Sequence, residues 1–368
     1  MEKAKEPFEY NQPLVSILIP NYNHAHYLDE CITSALNQTY RNLEITILDN
    51  GSTDNSIEIA SKYLYDRRLS ICKNGINILN KSYNVLADNF ANGKYMILLC
   101  ADDFLFPSFI EEAVEIMETY PNVGYVHGEK DFYREDGSVE KYNSFYKCSF
   151  VAPGRSAMPI YMVTTVAHPS QGVIRRSAFM DIHGYDKEID HMNADRTLWF
   201  YLSDQYDAAY IKEKRCGIRI GNQTETFVTQ RNFQHPILCH LTIKDFVKYA
   251  KEKNIPDVYE REEEALHRLA DEFLGYAAGM LAADDYTVAE QYVTYALVVN
   301  RNIVNDEAYK RLTEMIGKHK VNLDILKQIV WISPNKKRGY EPPKGYKELV
   351  LGVDYGRSKN SNMYSYTK

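Results

Sequence analysis

Two adjacent carboxylates, Asp102 and Asp103, follow the apolar run Tyr95-Met96-Ile97-Leu98-Leu99 and are the side chains here best placed to do chemistry. The run reads as a buried strand, so the pair stands at a strand's carboxyl end. Each carboxylate repels the other, and neither can sit deep without a partner. A divalent cation removes that conflict. Hard oxygen ligands suit Mg2+ or Mn2+, and a cation held this way also grips substrate phosphates. The other reading is that the pair only caps the helix starting near Pro107.

The elements that must position the pair alternate between strand and helix from residue 14 to about 128. Leu14-Val15-Ser16-Ile17-Leu18-Ile19, Leu43-Glu44-Ile45-Thr46-Ile47-Leu48, Leu69-Ser70-Ile71-Cys72, 95–99 and 123–127 are strand-like. Helices are expected from about His26 to Asn37, after Gly51-Ser52-Thr53-Asp54 to about Lys62, over 78–91 and over 107–119. This order predicts an α/β fold, a mostly parallel central sheet with helices on both faces. Ligands of such sheets bind outside the carboxyl ends of strands, where Asn21, Asp49 and Asp102 fall. From 129 to 230 the pattern is mixed, with a hairpin turn at Glu135-Asp136-Gly137-Ser138 and helices over 176–182 and 195–203. Beyond about 242 the chain is mainly helical. There Ala265, Leu269, Phe273, Tyr276 and Ala277, then Ala289, Tyr292 and Ala296, resemble one tetratricopeptide-like helical hairpin. One such hairpin cannot bury its own face and should pack on the preceding domain.

Three further segments carry recognisable residues. They are Val15-Ser16-Ile17-Leu18-Ile19-Pro20-Asn21-Tyr22-Asn23, Ser34-Ala35-Leu36-Asn37-Gln38-Thr39-Tyr40, and Asp49-Asn50-Gly51-Ser52-Thr53-Asp54. In this order they resemble the inverting glycosyltransferases of family two, which have a GT-A fold, and the resemblance covers roughly 14–225. It implies that Pro20, Asn21, Tyr22 and Asn23 wrap a nucleoside, and that Asp49 and Asn50 stand where the family has an acidic pair. The second acid reads the base in uridine-nucleotide members. An Asn there could accept the uracil N3–H through its carbonyl and donate through its amide. Asp54 reads as a turn and capping residue. The Asp pair resembles the family's D-x-D-like element. By that likeness Asp103 holds Mn2+ or Mg2+, Asp102 contacts the ribose or an ordered water, and Cys100 replaces the first acid.

Asn193-Ala194-Asp195-Arg196-Thr197-Leu198-Trp199 resembles the family's E-D pair ahead of a helix containing L-W, with Ala194 in place of the first acid. The likeness makes Asp195 the catalytic base. Inverting transfer needs one carboxylate to take a proton from the attacking acceptor hydroxyl, unlike the two carboxylates of a hydrolase. The cation stabilises the departing nucleoside diphosphate. The alternative for Asp195 is an N-cap of the helix through Trp199. His168, in His168-Pro169-Ser170-Gln171, is a candidate contact to donor sugar or acceptor, set against a structural role. Arg219 is kept from the family's R-x-H stretch, with Gly221 replacing the His, and is a candidate diphosphate contact. His191, Arg231 and His235 are candidates for the same neighbourhood.

The expected organisation is an arm over 1–13, a GT-A domain over 14–230 (nucleotide half 14–128, acceptor half 129–230), a helical region over 231–332, and a basic, Pro-containing tail over 333–368. The tail's Lys336, Lys337, Arg338, Lys344 and Lys347 could touch an anionic membrane carrying a lipid-linked acceptor, or stand solvated. A net charge of -7 excludes a general nucleic-acid binder. No Cys-x-x-Cys motif occurs among the six cysteines, which points to a reducing compartment. No secretory signal and no long uncharged apolar run is visible, so a cytoplasmic enzyme, working at the inner membrane face where its acceptor is lipid-linked, is expected. The partners implied are a nucleotide-diphosphate sugar, a glycan or lipid-linked acceptor, and a second copy of the chain. The changes at Asn50, Cys100, Ala194 and Gly221 motivate a rival reading, a non-catalytic nucleotide-sugar binder or assembly subunit. A nucleotidyltransferase would want a Gly- and Arg-rich loop near residue 20, where Asn21-Tyr22-Asn23 stands.

Overall fold

Apolar side chains at alternate positions along the first strand point to opposite sides, and this period of two builds the whole core. Val15, Ile17 and Ile19 pack with one hydrophobic cluster and Leu18 with another, so the strand is buried on both faces. The computed structural model describes residues 12–141, 143–185, 194–220, 230–332 and 339–350. Strands and helices run β1 (Val15–Asn21), α1 (Ala25–Leu36), β2 (Leu43–Asp49), α2 (Ser56–Ser61), β3 (Leu69–Lys73), α3 (Lys81–Asn89), β4 (Tyr95–Leu98), β5 (Phe104–Leu105) and α4 (Phe109–Thr119). Then come β6 (Val123–Arg134), β7 (Val139–Glu140), β8 (Phe150–Ala152), α5 (Gly154–Tyr161), β9 (Gly172–Arg175), α6 (Arg176–Asp181), α7 (Ala194–Gln205) and β10 (Asp207–Ile220).

The sheet order is β8-β10-β6-β9-β4-β1-β2-β3. From β4 to β3 all pairs are parallel, as the alternation of elements predicts. The sheet as a whole is mixed, because β9 lies antiparallel between β4 and β6. That reversal puts the start of β9 beside the carboxyl end of β4 and the middle of β6, with Val173 opposite Ile97 and Gly172 opposite His127. Strand β6 runs on to Arg134, well past the expected 127, and turns into β7 at Asp136-Gly137, where Gly137 takes φ 81°. One face of the sheet is covered by α1, α2 and α4, the other by α3, α5 and α7 together with the C-terminal helices.

Those C-terminal helices are α8 (Gln234–Glu252), α9 (Pro256–Tyr259), α10 (Glu262–Ala282), α11 (Tyr286–Val299), α12 (Glu307–Lys318) and α13 (Leu323–Ile332). The α10–α11 pair is the expected hairpin. Ala265, Leu269, Phe273 and Ala277 of one helix and Ala289, Tyr292 and Ala296 of the other are buried, and Asp285 caps α11 through Val288 N–H. The region docks on the sheet domain through α8 and α7. Phe246 stacks on Phe200 with centroids 3.7 Å apart, and Tyr249 Oη donates to Asp204 Oδ2 at 2.8 Å. None of the described helices is long and apolar enough to cross a membrane.

The stretch expected to trail as a basic tail does not do so over 339–350. Tyr340 stacks on Phe145 at 4.8 Å, Arg268 donates to its hydroxyl, and β11 (Lys347–Glu348) adds to the sheet edge against β8. Lys336, Lys337 and Arg338 lie outside the described residues, as do His191 and Gly221.

Phe246 is fully buried in the α7–α8 seam. Phe246→Ala should therefore cost about 3–5 kcal/mol of stability, the usual loss for a buried Phe truncation. Urea unfolding measures it, and a loss under about 1 kcal/mol would mean that the helical region does not hold the sheet domain.

Candidate active site

The carboxyl ends of β1 and β2 stand side by side, with Asn21 directly opposite Asp49. Asn21 Nδ2 donates to Asp49 Oδ1 at 2.9 Å and lies 3.1 Å from Ser52 Oγ, while Ser52 N–H donates to Asp49 Oδ2. The loop is drawn in by the same serine, since Asn23 N–H donates to Ser52 Oγ, and Asn23 Oδ1 accepts from Thr53 N–H. Asn23 itself takes φ 57°, a conformation Asn tolerates better than most residues. Pro20 lies within β1 and Tyr22 is exposed at the rim. Asp54 accepts from Ala25 N–H and Ser56 N–H and so ties the turn together, while the N-cap position of α2 is Asn55.

Asn50 is buried. Its amide donates to Ser82 Oγ at 2.9 Å, and Asn74 Nδ2 lies 3.5 Å from its carbonyl. The carbonyl is the less committed end, which is the end the sequence reading assigns to a base N–H.

The acidic pair divides its work. Asp103 is buried, its Oδ2 accepting from Ser170 Oγ at 2.6 Å and its Oδ1 from Arg219 N–H at 3.0 Å. Burial, and next the neighbouring Asp102 charge, push its carboxyl well above the usual range despite those two bonds. Asp102 is partly exposed, and no hydrogen bond from the described residues occupies its carboxylate. Arg219 braces the pair. Its guanidinium donates to the Asp102 carbonyl and to Glu30, and lies 4.5 Å from the Tyr27 ring centroid and 5.3 Å from that of Phe104.

Cys100 Sγ and the two carboxylates have ligand atoms within 4.8 Å of one another. Burial raises the Cys100 thiol, so it stays protonated and is a poor ligand for a hard cation. It shares a 3.2 Å hydrogen bond with Tyr83 Oη. The oxygens fit Mg2+ or Mn2+, which take one or two carboxylates and complete their shell with phosphate and water.

Asp195 is the second residue of α7, not its N-cap, and accepts from Arg196 N–H at 2.7 Å. Burial lifts its carboxyl to about 6, against the opposing pull of that N–H and of the Lys130 and Arg196 charges. Arg196 is buried and donates to the Tyr161 and Met162 carbonyls at the end of α5, which fixes the first turn of α7. Lys130 was not singled out by sequence reasoning. Its Nζ donates to Gln171 Oε1 at 2.7 Å, and Gln171 in turn holds the Gly128 carbonyl and His168 N–H. The signal was available as charge inside a strand, at Glu129-Lys130 directly after Tyr125-Val126-His127.

His168 opens the short 3-10 turn Pro169–Gln171, with its ring edge-on to Phe132 at 6.1 Å. Arg231 pairs with Asp285, and His235 is buried against Tyr276 and Cys239, so both serve the helical region. Residues Ser82, Tyr83 and Asn84 of α3 were also missed. They sit on a helix that the sequence gives no chemical motif.

This sheet, with an acidic group at the carboxyl end of its central strands and a loop closing over β1 and β2, defines a GT-A fold. Residues 16–182 match the family model described as "Glycosyl transferase family 2". An uncharacterized glycosyltransferase of Haemophilus influenzae is 42% identical over 112 residues, 29% of this chain and 34% of its own length. Chondroitin synthase of Pasteurella multocida is 43% identical over 100 residues, 27% of this chain and 10% of its own. The chain thus spans about a third or less of these relatives. TarS 1-349 of S. aureus in complex with UDP-GlcNAc superposes with a TM-score of 0.53 at 14% identity, covering 83% of this chain and 92% of that one. The mannosyltransferase PcManGT of Pyrobaculum calidifontis, in complex with GDP-Man and Mn2+, gives 0.51 at 16% identity over 90% and 92%.

A carboxyl whose folded pKa of about 6 exceeds its ordinary 3.8 penalises the fold once both states have ionised. Stability is untaxed below the lower value and is lost as pH rises through the window. Asp195→Asn should therefore stabilise the protein by at most about 3 kcal/mol above neutrality, and by under about 1 kcal/mol near pH 4. Urea midpoints of both forms at the two pH values measure this. An equal effect at both would show that Asp195 is not strained by burial.

Proposed function

We propose that this chain is a metal-dependent inverting glycosyltransferase. It moves a sugar from a nucleoside diphosphate donor to a hydroxyl of a glycan or lipid-linked acceptor, in surface polysaccharide or glycan assembly. The observation that carries the reading is the pairing of an acidic cluster fit for a hard cation with one isolated carboxyl of raised pKa, Asp195. The donors bound in TarS and PcManGT, each a nucleotide sugar, support the donor class.

The residues divide the reaction between them. Pro20, Asn21, Tyr22, Asn23, Asp49 and Asn50 hold the nucleoside. Asp102 offers its carboxylate oxygens to Mn2+ or Mg2+. Asp103, named by resemblance as the ligand, is the buried acid and supports the site from behind, with Ser170 and Arg219 holding its oxygens. When bound, the cation neutralises charge on the departing diphosphate. Asp195 takes the proton of the acceptor hydroxyl. A base poised near 6 is ionised at neutral pH yet retains proton affinity. Arg219 stiffens the pair, and Lys130 keeps Asp195 from rising further.

Asp195→Asn keeps the shape but cannot take the proton. Turnover should fall by about 10²–10⁴ with donor affinity nearly unchanged, and wild-type rate should climb as pH rises through about 6. Sugar transfer and nucleotide binding measured on one preparation decide it. Full turnover in the variant would move the role elsewhere, and tight donor binding with no turnover in the wild type would favour the non-catalytic binder.

For the cation, calorimetry with UDP or GDP with and without Mn2+ is decisive. Asp102→Ala should abolish the Mn2+-dependent part of the affinity. A variant that retains it, while Asp103→Ala loses it, would return the ligand role to Asp103.

A further inference from the structure

Tyr185 carries a hydroxyl that the roles assigned above leave unused. The chain reaches it through Gly184, whose φ of 75° lies in the left-handed region and turns the backbone onto α3. There Asn84 grips the Tyr185 main chain twice. Its Nδ2 donates to the Tyr185 carbonyl at 3.0 Å, and its Oδ1 accepts the Tyr185 N–H at 2.9 Å. A Cβ at position 184 would stand 2.4 Å from that Oδ1, so the grip requires glycine. The ring is held as firmly, stacked on Tyr83 at 5.2 Å and 23°, with Phe179 edge-on at 6.1 Å.

The hydroxyl is therefore placed, yet it is not satisfied. Tyr185 is 3% exposed, and its Oη has no hydrogen-bond partner among the described residues. Buried polar groups are nearly always paired, so an orphan held this rigidly calls for a ligand. Its surroundings say which. Tyr83 joins Tyr185 to Cys100 and so to the acidic cluster. Asp195 is near enough for its charge to act on the phenol. Near both a group that grips diphosphate and a base that serves the acceptor, the part of the donor within reach is its sugar.

Building on the glycosyltransferase reading, we propose that the Tyr185 hydroxyl hydrogen-bonds a hydroxyl of the transferred sugar and contributes to donor choice. A phenol both donates and accepts, which suits a sugar hydroxyl. Burial and the nearby Asp195 keep it protonated. One ring face is covered by Tyr83, so recognition runs through the hydroxyl rather than through stacking on that face.

Tyr185→Phe keeps the ring, the stack and the Asn84 grip while removing only the oxygen. Both forms are titrated, with Mn2+, against UDP, GDP and a panel of UDP- and GDP-hexoses including UDP-N-acetylglucosamine and GDP-mannose, and both are melted without ligand. The variant should bind the preferred sugar nucleotide about fivefold to tenfold more weakly, bind the free nucleoside diphosphate equally well, and melt no lower than wild type. Unchanged affinity for the sugar nucleotide would overturn the inference alone. A variant that melts lower and loses both ligands equally would assign the hydroxyl a structural role instead. A wild-type chain that binds no member of the panel would remove the glycosyltransferase reading, and this inference with it.

Discussion

The Asp103 carboxyl takes hydrogen bonds from Ser170 and from the Arg219 main chain, so one side chain ties the end of the central strands to the turn before β9 and to β10. Burial, and next the repulsion of the adjacent Asp102, raise the proton affinity of the inner acid. The fold answers with placed donors. Ser170 reaches Asp103 only because β9 runs antiparallel, which brings residues 168–171 to the carboxyl end of β4, beside the middle of β6. A purely parallel sheet would deliver the start of that strand to the opposite edge. The reversal in the sheet and the acid pair are thus one arrangement. Arg219 completes it from β10, tied to the Asp102 carbonyl and to Glu30.

A second point of convergence is the first turn of α3. Ser82 holds the Asn50 amide, Tyr83 meets Cys100 and stacks on Tyr185, and Asn84 grips the Tyr185 main chain. Three consecutive residues so connect Asn50, the acidic cluster and Tyr185. Successive residues on a helix point about 100° apart, so one turn can address three directions at once. A shift of α3 would move all three parts together, which keeps their spacing constant.

Most of the nucleotide half was legible in the sequence, because its strands are continuous apolar runs punctuated by turn residues. Asn21, Asp49 and Asp102 stand at strand ends as the alternation implied, and the helical hairpin followed from small and aromatic spacing. What could not be read was long-range. Nothing local to Arg176 or Val173 says that the strand before α6 runs backwards, since apolar period gives burial and not direction. That Asp103 is the acid turned inward depends on Ser170 and Arg219, distant in sequence from the pair. The strand past His127 was missed because Glu129 and Lys130 look like a loop until Tyr210 and Gln171 supply partners from other elements. The stretch 339–350 looked like a tail because its pairing partners, Phe145, Tyr146 and Val151, lie some two hundred residues earlier.

The helical region bears on chemistry through α7. A carboxyl held near 6 by burial stores strain in the first turn of that helix, and strain of this kind persists only where the surroundings over-determine the geometry. The surroundings do so here. Arg196, the next residue, is buried and spends its guanidinium on two carbonyls at the end of α5, and Phe246 of α8 lies 5.8 Å from it. One turn further, Phe200 stacks on the same Phe246, and Trp199 is fully buried with its Nε1 donating to the Ala167 carbonyl. It is α8, through Phe246, that clamps the helix carrying Asp195. Without that clamp α7 could relax toward water, Asp195 would regain its solvation, and its pKa would fall back toward the ordinary carboxylate value, where it is a weaker base.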